Sequence, residues 1–347
     1  MADKTKIEWA DATVNAINGC SLASPGCTNC YAMRLAGTRM KHHPSRAGLT
    51  QDSKAGPVWT GEVRLNETAL LQPLKWRKPR KIFWNAHGDT FHDNVPDEWI
   101  DRVFAVCAQT PQHTHMILTK RSARMREYFA SYRLSRLGFL TRNGEEPSGY
   151  GGTARDDIRN PDRWPLPNVW LGVSVEDQAR ANERIPDLLA TPAAVHFISA
   201  EPLLGPVDLN NLGVRSECNH ENASVEWDTN ALNCDDCEEE PLLDWVICGG
   251  ESGPGARPMH PDWARSLRDQ CAATGVAFHF KQWGEWVGLG VTEGRPLDGG
   301  AWPSDTKTCI RLCIDGTKGD DGFPMQRVGK AFAGRLLDGV AHDGVPA

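Results

Sequence analysis

Short apolar runs, rich in β-branched and aromatic residues, recur along the chain, and each ends in a polar or glycine-rich turn. They are Lys81-Ile-Phe-Trp-Asn85, His115-Met-Ile-Leu-Thr119, Asn168-Val-Trp-Leu-Gly-Val-Ser174, Ala194-Val-His-Phe-Ile-Ser199, Asp244-Trp-Val-Ile-Cys-Gly249 and Val276-Ala-Phe-His-Phe280. Short continuous runs bounded by turn residues predict strands buried on both faces. Between several of them the apolar period becomes helical, over Asp97–Cys107 and over His260–Cys271, with Gly275 as a C-terminal stop. Alternating strands and helices predict an α/β fold with a parallel sheet. With the segment leading to Cys20 counted as a first strand there are six or seven units. That number suits a full or partial (β/α) barrel over residues 1–340, with a tail at 341–347, better than two separate domains. Two stretches break the rhythm: residues 136–166, rich in Gly, Pro, Arg and Asp, read as a long loop, and residues 208–243 read as an insertion.

Charge changes the picture of that insertion. The chain carries a formal net charge of −7, yet residues 217–244 hold ten acidic side chains and no Lys or Arg. Without them 35 acidic residues face 38 basic ones, so the body of the protein is slightly basic. No run of 18 apolar residues occurs, so no membrane span is expected. The polar start, Met1-Ala-Asp-Lys-Thr-Lys, has no apolar signal region and predicts a cytoplasmic setting.

Eleven cysteines are many for such a setting, and their clustering favours metal over disulfides. Cys20, Cys27 and Cys30 form C-x6-C-x2-C on one loop. Three thiolates can hold three irons of a [4Fe–4S] cubane and leave the fourth open. A structural zinc site lacking one ligand, or buried free thiols, are the plainer alternatives. Cys218, His220, Cys234 and Cys237 make a second set, a C-x-H pair and a C-x2-C pair, that suits tetrahedral zinc within the acidic insertion. A flexible acidic loop or a second iron–sulfur cluster are its alternatives.

The first cysteine loop lies within Thr5-Lys-Ile-Glu-Trp9 … Asn18-Gly-Cys20 … Ser24-Pro-Gly-Cys27-Thr-Asn-Cys30-Tyr31-Ala32. Further on come Gly88-Asp-Thr-Phe-His92, Leu118-Thr-Lys-Arg121, Gly172-Val-Ser-Val-Glu-Asp177, Ser199-Ala-Glu-Pro-Leu-Leu-Gly205, Gly249-Gly-Glu-Ser-Gly253, Phe280-Lys-Gln-Trp-Gly-Glu-Trp286 and Arg327-Val-Gly-Lys330. This series resembles a phage-borne radical-SAM-like family, in order and over nearly the whole chain. The radical-SAM superfamily usually has C-x3-C-x2-C; this loop carries three more residues before Cys27. The resemblance implies a barrel of the radical-SAM type, in which S-adenosylmethionine (SAM) chelates the open iron. An electron from the cluster cleaves its sulfonium, and the resulting 5′-deoxyadenosyl radical abstracts hydrogen from substrate. It also implies an electron donor as partner, a cytoplasmic host setting, and no membrane. Its substrate would be a nucleobase in phage DNA, and its reaction an isomerisation in thymine hypermodification, from N-linked glycyl-thymine to the C-linked form.

Strand-end residues follow from the barrel. Active sites of parallel barrels lie at strand C-terminal ends. By resemblance, Tyr31 lies near the adenine, Asp89 contacts the SAM amino group, and Ser174 and Glu176 bond the ribose. Lys120, Glu201 and Glu251 are the expected catalytic groups. Arg121, Lys281 and Gln282 also end strands, and His87 and His92 are candidate proton carriers. Lys75, Arg77, Lys78, Arg80 and Lys81, interleaved with Trp76, form a basic stretch suited to phosphate and base stacking. Arg124 and Arg126 could extend it. Two rival functions remain: a radical-SAM enzyme acting on a small molecule or peptide, and a non-enzymatic, zinc-dependent nucleic-acid-binding module.

Overall fold

A computed structural model describes residues 5, 7–130, 165–210, 212, 242–288 and 309–346, with the backbone of 224–226 and 231–233. The fold is mixed α/β. Its main sheet has seven strands: β1 (Ala12–Val14), β2 (Lys81–Trp84), β3 (Thr114–Thr119), β4 (Val169–Ser174), β5 (Val195–Ala200), β6 (Trp245–Gly249) and β7 (Ala277–Gln282). They lie side by side in chain order. The registered pairs β1–β2, β2–β3, β3–β4, β5–β6 and β6–β7 are all parallel. Such singly wound order is that of a full or partial β/α barrel, without the switch point of a doubly wound sheet. No helix among the described residues is long and apolar enough to cross a membrane.

The chain divides into two compact units, Met1–Ser174 with Thr191–Val195, and Val175–Ala190 with His196–Ala347. In unit 1 the helices are α1 (Tyr31–Gly37), α2 (Asp97–Gln109) and α3 (Ser122–Ala130). Ile100, Val103, Phe104 and Cys107 of α2 are buried at the spacing that the sequence predicts. Phe104 stacks on Tyr128 of α3, whose hydroxyl donates to buried Asp101 at 2.7 Å. Almost all of the expected loop at 136–166 falls outside the described residues.

In unit 2 lie α4 (Gln178–Leu189) and α5 (Pro261–Thr274). Gly275, at φ 71°, ends α5 in the left-handed conformation that glycine adopts without strain. Helix α4 was hidden in the sequence because Pro186 sits within it and Arg184 occupies its buried face. Arg184 is tolerated there because Glu176 accepts its Nη1 at 2.9 Å. Residues 342–344 are not a loose tail. Phe280 N–H donates to His342 O and Gly344 N–H to Phe278 O, so this segment covers the edge of β7. Of the expected insertion, the structure describes its ends and an antiparallel pair, Ser224–Glu226 with Ala231–Asn233.

His115 sits wholly buried on β3. Trp84 Nε1–H donates to its Nδ1 at 3.0 Å, so its proton rests on Nε2, beside Thr110 Oγ1 at 2.9 Å. Burial pushes its pKa down to about 3. The unfolded chain therefore binds this proton before the fold does. The contribution is fully present above the ordinary value of about 6.5 and is lost as pH falls towards 3. Denaturant unfolding should show stability falling by up to about 1.4 kcal/mol per pH unit below pH ~6 from this group. His115→Phe should flatten that acid limb; an unchanged slope would refute the assignment.

Candidate functional site

The thiol loop leaves the C-terminal end of β1 and enters α1. Two close backbone approaches fix its start. Gly19 (φ 96°) pairs with Gly88 in a parallel bridge and donates its N–H to His87 O at 3.1 Å. A Cβ on Gly19 would stand 2.1 Å from Glu62 O, and one on Gly88 2.5 Å from Ile17 O. Only glycine fits at either place. Asn85, with φ 56°, holds the neighbouring strand end: its Oδ1 accepts Ile17 N–H at 2.8 Å and its Nδ2 donates to Thr90 Oγ1 at 2.8 Å. Left-handed Asn next to a loop of this kind marks a backbone held by its surroundings.

The end of the loop is braced by apolar packing. Ala32, Met33, Ala36, Leu49 and Trp59 form a buried cluster against which Cys20 and Cys30 pack. Gly37 lets α1 approach the hairpin Thr50–Ser53/Gly56–Trp59, where a Cβ would meet Pro57 at 2.0 Å.

Arg121, immediately beyond β3 and Lys120, ties the loop to the sheet. Its Nη1 donates to Cys20 Sγ at 3.4 Å and to Asp89 Oδ2 at 3.1 Å, and its Nη2 to Ser21 O and Oγ at 2.9 and 2.8 Å. Asp89 also accepts from Phe91 N–H, Thr119 Oγ1 and Lys120 N–H. Its carboxylate, expected at a ligand, is thus saturated by protein donors and positions Arg121. His92 accepts Asn94 N–H at Nδ1 and so donates from Nε2 to Ser21 Oγ at 2.9 Å. Burial and Arg121 lower its pKa. His92 therefore supports the loop as a neutral ring.

Cys20, Cys27 and Cys30 are free thiols. Burial raises the Cys20 thiol to about 12, partly opposed by Arg121. Burial also raises Cys30, opposed by Met33 and Ala32 N–H groups at the start of α1. Cys20 feels the charge of both other thiols, and Cys30 that of Cys27. Among the described residues no group of three His, Cys, Asp or Glu side chains stands in metal-holding geometry. Cluster or metal binding would therefore draw the three sulfurs together and release protons. The donor chemistry fits: three soft ligands on one braced loop, electrostatically coupled, beside a fixed guanidinium.

Tyr31 is exposed, and its hydroxyl donates to Ala86 O at 2.8 Å, which holds the ring in place beside the loop. Ser174 is buried at the end of unit 1. Glu176, in unit 2, is fully buried and committed to Arg184. Cys218, His220, Cys234 and Cys237 lie outside the described residues.

Unit 2 has a second polar centre at its strand ends. Lys281 Nζ donates to Glu201 Oε1 and Oε2 at 2.8 and 2.7 Å, and Gln282 Nε2 to Glu201 Oε1 at 3.3 Å. Glu251 closes its own loop, accepting Arg257 N–H and Nε at 2.8 and 2.9 Å and Nη2 at 2.6 Å. The Gly249-Gly-Glu and Trp283-Gly-Glu turns interlock: a Cβ on Gly250 would lie 1.9 Å from Trp283 O, and one on Gly284 2.2 Å from Glu251 O. These glycines serve packing between backbones.

The basic stretch occupies the other end of β2. Lys75, Arg77 and Lys78 are exposed; Arg80 stacks on Trp76 at 4.5 Å and Lys81 lies over Trp170 at 6.0 Å. Lys81 O pairs with Asp11 N–H, whereas Asn85 N–H pairs with Val14 O, beside the thiol loop. Four residues of strand put roughly 13 Å between the two ends.

Fold and site define a mixed α/β protein with a singly wound parallel sheet that carries a braced thiol loop at its strand C-terminal ends. The chain belongs to the DUF5131 family, described as a protein of unknown function, whose model matches residues 4–346. No curated protein and no solved structure matches it.

Proposed function

We propose that Cys20, Cys27 and Cys30 hold a [4Fe–4S] cluster and that the protein is a radical-SAM enzyme. The observation that carries this reading is the convergence on one loop of three coupled thiols, with Arg121 on Cys20 and glycine-only approaches at Gly19 and Gly88. When bound, the cluster supplies the electron that cleaves the sulfonium of SAM. This chain's own residues hold the thiols (Arg121, Asp89, Ser21, His92) and exclude water through the Trp59 cluster. Tyr31 offers a held aromatic face. The motif series favours a nucleobase in DNA as substrate, with isomerisation of N-linked glycyl-thymine as the reaction, an external electron donor, and zinc at Cys218, His220, Cys234 and Cys237.

Cys20→Ala, Cys27→Ala and Cys30→Ala should each abolish the brown chromophore and SAM cleavage after anaerobic reconstitution with iron and sulfide. A full cluster in all three variants would sink the reading. For DNA, the exposed cations should dominate binding. Replacing Arg77 and Lys78 together should lower the slope of log K against log[salt] by roughly two, at about 0.9 for each phosphate that is no longer neutralised. DNA binding with an unchanged salt slope would remove this stretch from the interface.

A further inference from the structure

Among the described residues of unit 1, the large apolar side chains that stand exposed are Leu22 and Tyr31, at 53% and 56%. Both belong to the thiol loop and its entry into α1. Tyr31 is held against Ala86 O. Leu22 stands between two anchored neighbours. Ser21 before it accepts both Arg121 Nη2 bonds, and Ala23 N–H after it donates to Cys27 Sγ at 3.5 Å. A single exposed leucine is ordinary on a protein surface. This one is set apart by its place: the other residues between Cys20 and Cys27 are small, namely Ser21, Ala23, Ser24, Pro25 and Gly26. A large apolar chain pinned in water gains nothing for the fold.

Behind the loop lies a basic cap. Residues 20–64 carry six Lys or Arg side chains against Asp52 and Glu62, in a chain whose formal net charge is −7. The cap consists of α1, the turns that follow it and the hairpin Thr50–Ser53/Gly56–Trp59, and it packs on Cys20 and Cys30 through α1 and Trp59. Three of its cations are committed. Arg46 is buried, Arg64 clamps Pro44 O and Ala47 O at 2.6 and 2.9 Å, and Lys41 bonds Asp52 at 2.7 Å. Arg39 and Lys54 are exposed and meet no carboxylate among the described residues. Each lies two residues from the Lys41–Asp52 pair, which brings their two segments together. Helix α1 has seven residues, so Arg39 follows Tyr31 by roughly 10 Å of helix, about three phosphates of a DNA strand.

Proteins that unstack DNA insert an apolar wedge, often leucine, between base steps, and enzymes that act on a base must take it out of the stack. We propose that this cap docks duplex DNA: Leu22 wedges into the base stack, while Arg39 and Lys54 neutralise phosphates of the adjoining backbone. The inference rests on the reading that the substrate is a base in DNA. It puts the docking face at the thiol loop, at the opposite end of β2 from the stretch Lys75–Lys81.

The test uses the full chain at fixed, measured iron content and a short duplex carrying 2-aminopurine, whose fluorescence rises when it unstacks. Wild type should produce that rise on binding. Leu22→Ala should lose most of it with the salt slope unchanged, and Leu22→Met should keep it. Arg39→Gln with Lys54→Gln should lower the slope of log K against log[salt] by roughly two, at about 0.9 for each phosphate. All of these side chains are exposed, so each variant should keep the wild-type thermal midpoint; a merely structural role would move the midpoint and leave the slope. An undiminished rise in Leu22→Ala, or an unchanged slope in the double variant, would overturn the proposal. DNA binding that survives there but falls when Arg77 and Lys78 are replaced would keep DNA as the substrate and remove the cap. A wild type that ignores duplex DNA but binds polyglutamate, with loss in the Arg39/Lys54 variant, would assign the cap to an acidic protein instead. Iron content and SAM cleavage report on the cluster separately, so the two readings fail on different measurements.

Discussion

Gly88→Ala is expected to empty the thiol loop without touching a thiol. Its new methyl would stand 2.5 Å from Ile17 O and 3.1 Å from Gly19 O, both backbone atoms that cannot rotate away. The end of β1 must shift, which breaks the Gly19–Gly88 bridge and the Gly19 N–H bond to His87 O. Cys20 is the next residue and moves with it. Overpacking of this kind costs roughly 1–3 kcal/mol, and the broken bonds add to it. Iron content after reconstitution should fall to that of Cys20→Ala, with a lower thermal midpoint. A variant that loads iron like the wild type would show that the loop does not depend on this approach.

Much of the sheet was legible in the sequence, and the reason is physical. Strands β2 to β7 are buried on both faces, so each appears as a continuous apolar run between turn residues. Helix α5 showed itself by period and by Gly275. Where a charge enters the interior through a partner distant in sequence, no local pattern exists. Arg184 needs Glu176, which lies outside its helix, eight residues earlier. The thiols were visible as a spacing, whereas their support was not: Asp89 and Arg121 are 32 residues apart, and only the parallel pairing of β2 and β3 brings them together. Asp89 and Glu176 are expected at SAM by resemblance, and Glu251 is expected as a catalytic group. In the structure each accepts from an arginine of its own chain, Arg121, Arg184 and Arg257, a pairing with no local signal in the sequence.

Glu201→Ala is expected to destabilise unit 2 by about 3–5 kcal/mol. Both side chains of the Glu201–Lys281 pair are mostly buried, at 20% and 13% exposure. Removing the carboxylate leaves a buried ammonium unpaired, and Gln282 Nε2 loses one acceptor as well. The double variant Glu201→Leu with Lys281→Met removes both charges and should recover most of the loss. Denaturant unfolding of the singles and the double closes the cycle. Equal losses in the single and the double variants would mean that the pair contributes packing alone.

The order of strands also bears on biosynthesis. Among the described residues, the groups that hold the thiol loop lie between Ile17 and Arg121, on segments attached to β1, β2 and β3, and each of these strands pairs with its successor in the chain. Domains fold as units while the ribosome is still elongating the chain, N-terminal parts first. The thiol loop can therefore close once β4 has emerged, while β6 and β7 are still untranslated. If the loop holds the proposed cluster, whatever delivers iron to it can meet it on a nascent chain.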